Sequence, residues 1–191
     1  MSENFTAFKE WAAVCAALGR GRQSLILRKG GIHEGRGGFE FKHPEFALFP
    51  TRFHEQAQHV REGELPHDWP GAMPEFAVGD PLRVEFLAKL ESVWTVTEWD
   101  KIAALELLHI WDEATVRERF EWAQSDGNPP ALNVALVRVM RLAQPWEFAY
   151  EKRHGGCRSW VEVPGGEMDG EPVLSVAEFA TERERVENLL C

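Results

Sequence analysis

The sequence predicts an α+β fold: a mixed, partly closed barrel-like sheet flanked by helices. Three observations carry this. Leu82, Val84, Phe86, Ala88, Leu90, Ser92, Trp94 and Val96 hold the even positions of one segment, with mostly polar residues at the odd ones. That is a long half-buried strand, or two joined at a bend, and strands so long usually coil within a barrel or a twisted sheet. Residues 131–142 are apolar on both phases apart from Arg138 and Arg141, as in a central strand. Strands and helices do not alternate one by one, which argues against a doubly wound parallel sheet.

The elements follow in order. Phe8, Trp11, Ala12 and Cys15 share a helical face, and Gly19 is a natural stop. Residues 24–27 read as a buried strand. Gly30-Gly31 and Gly35 to Gly38 punctuate turns, with a short strand at 39–41. Pro50 and Thr51 look like the start of a helix whose apolar stripe is Phe53, Ala57 and Val60. Residues 63–79 carry three prolines and little periodicity, as a surface loop does. Thr97 with Asp100 resembles a capping box before Ile102, Leu105 and Leu108. Asp112 can cap a further helix burying Val116 and Phe120, which Asn128-Pro129-Pro130 breaks. A strand is expected at 158–163. A last helix starts at the Ser175/Glu178 capping box, with Val176, Phe179, Val186 and Leu190 on its apolar face. The expected organisation is one domain over residues 1–163, with an acidic helical appendage, 164–191, packed on it.

Composition narrows the class. No apolar run approaches the ~20 residues of a membrane helix. The N-terminus, MSENFTAFKEW, lacks the pattern of a secretory signal. Three widely spaced cysteines (Cys15, Cys157, Cys191) suit reduced thiols. A cytoplasmic location without a membrane partner is expected. The net charge of −10 argues against broad nonspecific nucleic-acid binding. The charge is uneven, however. Residues 19–61 hold eight Arg/Lys against four Glu, and four of the seven His. A local basic field can steer an anionic ligand whatever the total charge. Pairing of basic and acidic segments within the fold is the bland alternative.

The distinctive segment is LRKGGIHEGRGGFEFKHPEFALFPTRFH, residues 27–54. In Arg28-Lys29-Gly30-Gly31 two cations follow a buried strand, and the glycines let backbone N–H groups approach an anion. A tight turn with solvated basic ends is the plainer reading. The Gly-Lys-Ser/Thr element of a Walker loop is missing. LILRKGG also resembles the opening of Nudix hydrolases, but HEQAQHVREGE lacks their Glu-rich metal-binding core. His33, Glu34, His43, His54 and Glu55 match no compact metal-site spacing. Glu34 and His54 are the candidate general acid and base. His154-Gly155-Gly156-Cys157 offers a nucleophile or half a metal site, with packing of Cys157 in a strand as the plainer role. Arg138 and Arg141 sit on opposite phases of an apolar strand, and Arg117 and Arg119 on the helix before it; a buried guanidinium needs a partner, such as Glu85 or Glu91 for one of them, or a ligand. Of the eight tryptophans, Trp94, Trp99, Trp111, Trp122, Trp146 and Trp160 read as mostly core, with one or two rings able to stack on a base.

Four segments in order, LRKGGIHEGRGGFEFKHPEFALFPTRFHEQ, HIWDEATVRERFEW, VRVMRLAQPW and GGCRSWVEV, resemble the bacterial family catalogued as domain of unknown function 1802. The resemblance covers Phe8 to Val163 and leaves out the tail after Pro164. Some members of that family are joined to Mrr-like restriction endonuclease domains. The resemblance thus implies DNA restriction-modification or another nucleic-acid task, without catalytic residues to carry over. Gly79-Asp80 before a long strand, with a later strand ending VMRLAQP, is also similar to PUA-like modules such as EVE and ASCH domains. Those are small mixed barrels that bind RNA or modified bases.

The leading expectation is a noncatalytic module that binds DNA, RNA or a nucleotide-like anion, with no cofactor or metal. Its expected ligand set is Arg28, Lys29, Gly30, Gly31, His43, Phe49, Thr51, His54, Trp111 and Arg138. One rival is a metal-dependent hydrolase or nuclease using Glu34, His43 and His54. Another is a protein-interaction component, in contact with a restriction endonuclease for instance, whose partner carries the chemistry.

Overall fold

The computed structural model describes residues 4–29, 41–70, 73–122, 127 and 129–191. Gly30, Gly31, His33, Glu34 and the strand expected at 39–41 lie partly or wholly outside them. The fold is α+β: among the described residues, seven strands form one mixed sheet flanked by four helices. The strands are β1 (Asn4–Trp11), β2 (Leu25–Lys29), β3 (Glu45–Thr51), β4 (Pro81–Val96), β5 (Leu132–Ala149), β6 (Trp160–Pro164) and β7 (Gly170–Pro172). The helices are α1 (Ala12–Gly19), α2 (Trp99–Ala103), α3 (Glu113–Glu121) and α4 (Val176–Leu190).

The sheet runs β2-β5-β4-β3-β1-β6, and β7 joins the edge of β5. All neighbours are antiparallel except β1 and β3. The expected barrel does not form. Among the described residues no ladder joins β2 to β6, so the sheet stays open. Its two ends nevertheless approach: Arg28 Nη2 on β2 donates to Ser159 Oγ beside β6 at 2.6 Å.

The first element corrects the sequence reading. Residues 4–11 form a strand, and helix begins only at Ala12. A strand running into a helix reproduced the spacing of one helix face. Alanine-rich α1 is buried on nearly every side. Trp11 supplies no side-chain cap, and the Ala13 N–H instead donates to Gln56 Oε1 at 3.1 Å. Gly19 ends the helix under Phe86, where a Cβ would sit 2.0 Å from the ring.

The helix expected from Pro50 is absent. Residues 45–51 are β3, and 56–59 form a single 3-10 turn. Phe46, Ala47, Leu48 and Phe49 are all buried, so no alternation marks this strand in the sequence. The long strand at 81–96 is present as expected, with register shifts between Val84 and Phe86 and between Leu90 and Ser92. β5 continues past residue 142. Val84 pairs with Trp146 and Phe86 with Arg141, so extra residues bulge out of the ladder and accommodate Pro145. Ile102, Leu105 and Leu108 are buried, but α2 is short, and Glu98 precedes it without a side-chain cap. Asp112 caps α3 by accepting the Thr115 N–H at 2.6 Å. The Ser175/Glu178 capping box opens α4, which buries Phe179, Val186 and Leu190 but leaves Val176 73% exposed.

Buried polar groups tie the core. His109 is 2% exposed, and its Nδ1 accepts the Trp111 N–H at 3.2 Å. Burial, the largest cause, pulls its pKa from 6.5 to about 3, helped by nearby Arg61 and Arg22. The folded protein therefore holds His109 neutral, while the unfolded chain takes up a proton near 6.5. The stability this group contributes is full above that pH and is lost as pH falls towards about 3. At about pH 4.5 the loss is about 2–3 kcal/mol. Urea unfolding at about pH 7 and 4.5 measures it. His109→Gln should flatten that difference, and an unchanged pH dependence would contradict the assignment.

Candidate cleft of cations and aromatic rings

The parallel register of β1 and β3 sets Lys9 beside Phe49 and Trp11 beside Thr51. Period-two geometry then points all four towards one side of the sheet. The chain after β3 adds Arg52 and Phe53. The surface loop adds Glu75 and Phe76, and the turn after β5 adds Tyr150 and residues 154–158. Together they enclose a lobe of about 500 Å³.

A second lobe, about 610 Å³, lies between the end of β2 and α3. Leu27, Lys29, His59, Thr115, Glu118, Arg119 and Trp122 line it. Trp11, Arg28, Phe53 and Cys157 line both lobes, so the two adjoin across these residues as parts of one cleft. Among the described residues its lining carries six Arg/Lys side chains against two carboxylates.

Several cations are held against rings. Arg52 lies 4.0 Å from the Phe76 centroid, and Phe76 stacks on Tyr150 at 5.4 Å with a 15° tilt. Lys29 Nζ sits 3.4 Å over Trp122 and 3.5 Å from Glu118. Arg119, 7% exposed, is held 3.9 Å over Trp111 and 4.9 Å from the Trp11 centroid. Its Nη1 donates to the Leu27 carbonyl at 3.0 Å. Burial lowers its pKa to about 10, so it stays charged at neutral pH, with buried Glu10 opposing the shift. Burial also lowers the pKa of Lys9 and Lys29. Lys9 Nζ donates to the Gly156 carbonyl at 2.7 Å.

Four of the ten residues expected from sequence line the cleft: Arg28, Lys29, Phe49 and Thr51. Trp111 is buried beneath it, as the support of Arg119. His43 packs on Trp160 at 4.8 Å, and exposed His54 lies 3.5 Å from Glu55. Neither lines the cleft. Arg138 is satisfied structurally: Nε donates to Glu91 at 3.2 Å and the guanidinium covers Phe179. Gly30, Gly31 and Glu34 are outside the described residues. Internal pairing also claims part of the basic segment. Arg22 and Arg61 both bond Glu64, and the Arg22 hydrogen bond is the main reason its carboxyl is held below the usual range.

Cys157 does not pack in a strand. It is exposed, in the cleft, ahead of β6. His154 is poorly placed to activate it. The ring is buried, Nδ1 accepts the Glu151 N–H at 3.0 Å, and burial lowers its pKa. Among the described residues no group of three or more His, Cys, Asp or Glu is placed to hold a metal. The cleft supplies fixed positive charge and aromatic faces. That is the chemistry of anion and base recognition.

The chain matches the family model described as domain of unknown function (DUF1802) over residues 7–185. It belongs to that family. The match runs past Val163 through β7 and into α4, so most of the tail that the sequence resemblance left out, up to residue 185, lies inside the family pattern. Comparison with curated proteins and with solved structures found no match. Among the described residues no helix is long and apolar enough to cross a membrane.

The ligand set expected from sequence leaves out Trp11, Arg52, Phe53, Phe76, Tyr150 and Arg158, and Arg119 is expected there only to need a partner or a ligand. One signal was available. Thr115, Val116, Arg119 and Phe120 form the buried face of α3, and a charged residue on an apolar face demands an explanation.

Proposed function

We propose that this member of the family is a noncatalytic module that binds nucleic acid or a nucleotide-like anion in the cleft. One observation carries the reading: six basic side chains and a set of aromatic rings converge on one cleft of a protein with net charge −10. Cations placed at phosphate positions supply affinity, and rings supply sequence-tolerant stacking on bases. The sequence likeness to PUA-like modules, which hold RNA or modified bases in a pocket, agrees with this use. The link to restriction-modification belongs to the same proposal and rests on the family resemblance.

Titration by intrinsic tryptophan fluorescence tests the reading, because Trp11 and Trp122 line the cleft. Short oligonucleotides should bind, and affinity should fall with salt with a log–log slope of about −2 to −3, as for three or four phosphates on a single strand. Absence of binding to DNA, RNA and nucleotides at low salt would overturn it.

A further inference from the structure

The two lobes meet at a waist made by the residues they share, Trp11, Arg28, Phe53 and Cys157. Trp11 and Phe53 stand edge to face at 4.3 Å, and Trp11 leans on buried Trp111 at 4.5 Å. That makes a braced aromatic ridge. Arg28 is positioned at the waist by Ser159 Oγ and by the Phe8 ring, 4.9 Å from the guanidinium carbon. Each lobe also holds a cation that the other lobe's lining lacks. In the first lobe this is Arg52 on Phe76, and in the second it is Arg119 between Trp11 and Trp111. The Leu27 carbonyl occupies one of the five N–H groups that a guanidinium offers.

Volume and the division of the cations between the lobes together limit what fits. Each lobe is within the range of about 300–1,000 Å³ that holds one small molecule. A single nucleotide would fill one lobe and leave the other lobe's cation unused. A duplex keeps its bases paired and stacked, away from a ridge set inside a cleft. A polymer with repeating charge and unpaired bases uses both lobes.

Resting on the reading above, we propose that the ligand is a single strand laid across the waist. One internucleotide phosphate sits at Arg28, with one nucleotide in each lobe against the Trp11–Phe53 ridge. The minimal ligand is then a dinucleotide. Arg52 and Arg119 meet the flanking phosphates or base edges.

The test titrates the 191-residue chain at low salt with thymidine and uridine monophosphates, the matching 5′-phosphorylated dinucleotides to hexanucleotides, and a blunt hairpin duplex. A further dinucleotide carries an uncharged methylphosphonate linkage. The dinucleotide should bind about 10- to 100-fold more tightly than the mononucleotide. The methylphosphonate should lose most of that gain, and the duplex should bind more weakly than the hexanucleotide. Success in either sugar series supports the proposal. Altering the ligand's linkage avoids the misfolding risk of an Arg28 substitution, and Phe53→Ala should independently reduce the gain. Equal binding of mono- and dinucleotide, an unaffected methylphosphonate or a preferred duplex would overturn the single-strand proposal while the cleft remained a binding site. No binding by any probe would overturn both readings.

Discussion

Arg119→Ala should lower stability by about 3–5 kcal/mol, the range for removing one partner from a buried charged arrangement. The side chain is 7% exposed and lies against two indole rings. A desolvated cation–π contact contributes about 2 kcal/mol. The hydrogen bond to the Leu27 carbonyl contributes about 1–3 kcal/mol when a charged donor is lost. Glu10, 1% exposed and electrostatically coupled to Arg119, would lose its compensating charge. Glu10 also accepts the Trp11 N–H at 2.8 Å, so the disturbance reaches the ridge of the cleft. With a urea slope of about 2 kcal/mol per molar, the midpoint should drop by roughly 2 M. Arg119→Lys keeps the charge and loses the planar stack, so it should fall between the two. A midpoint shift for Arg119→Ala below about 0.5 M would mean the guanidinium is not holding α3 to the sheet.

Charge reversal at Arg52 and Arg158 should have the largest effect on binding. Both side chains are exposed and both line the first lobe. Arg52 rests on Phe76, and that contact contributes about 0.5–1 kcal/mol at an exposed site. Arg52→Glu with Arg158→Glu should therefore leave the fold nearly intact. Two attractive charges become two repulsive ones facing phosphate, and like-charge juxtaposition costs several kcal/mol. Affinity should drop by about 10²-fold or more, since each 1.4 kcal/mol is tenfold.

The sheet was legible where one face is wet. Leu82, Val84, Phe86 and Ala88 are buried while Pro81, Arg83 and Lys89 are exposed, and the strand stands out. It was illegible where both faces are covered, as in the run from Phe46 to Phe49, or where a proline sits in a bulge, as in the second half of β5. The helical spacing of Phe8, Trp11 and Cys15 arose from two elements read as one.

The cleft was partly legible for a related reason. Arg28, Lys29, Phe49 and Thr51 come from one conspicuous stretch of chain. Trp11, Arg119, Tyr150 and Arg158 come from far apart in sequence. The parallel pairing of β1 with β3, and α3 docked beside β2, bring them together. Parallel pairing joins strands that are distant in the chain, and local patterns do not announce it. The histidines that draw the eye, His43 and His54, do not line the cleft: His43 packs on Trp160, and exposed His54 sits beside Glu55.

The central claim is that the cleft binds nucleic acid through its own cations. The most direct measurement is a parallel titration of one single-stranded hexanucleotide with three proteins. These are the wild type, the Arg52→Glu/Arg158→Glu variant, and a control carrying Arg183→Glu and Arg185→Glu on the exposed face of α4. Each variant changes net charge equally, so the comparison separates a located site from a general field. The expected result is a loss of about 10²-fold in the cleft variant and a change of less than about threefold in the control. Equal losses in the two variants, or undiminished binding by the cleft variant, would contradict it.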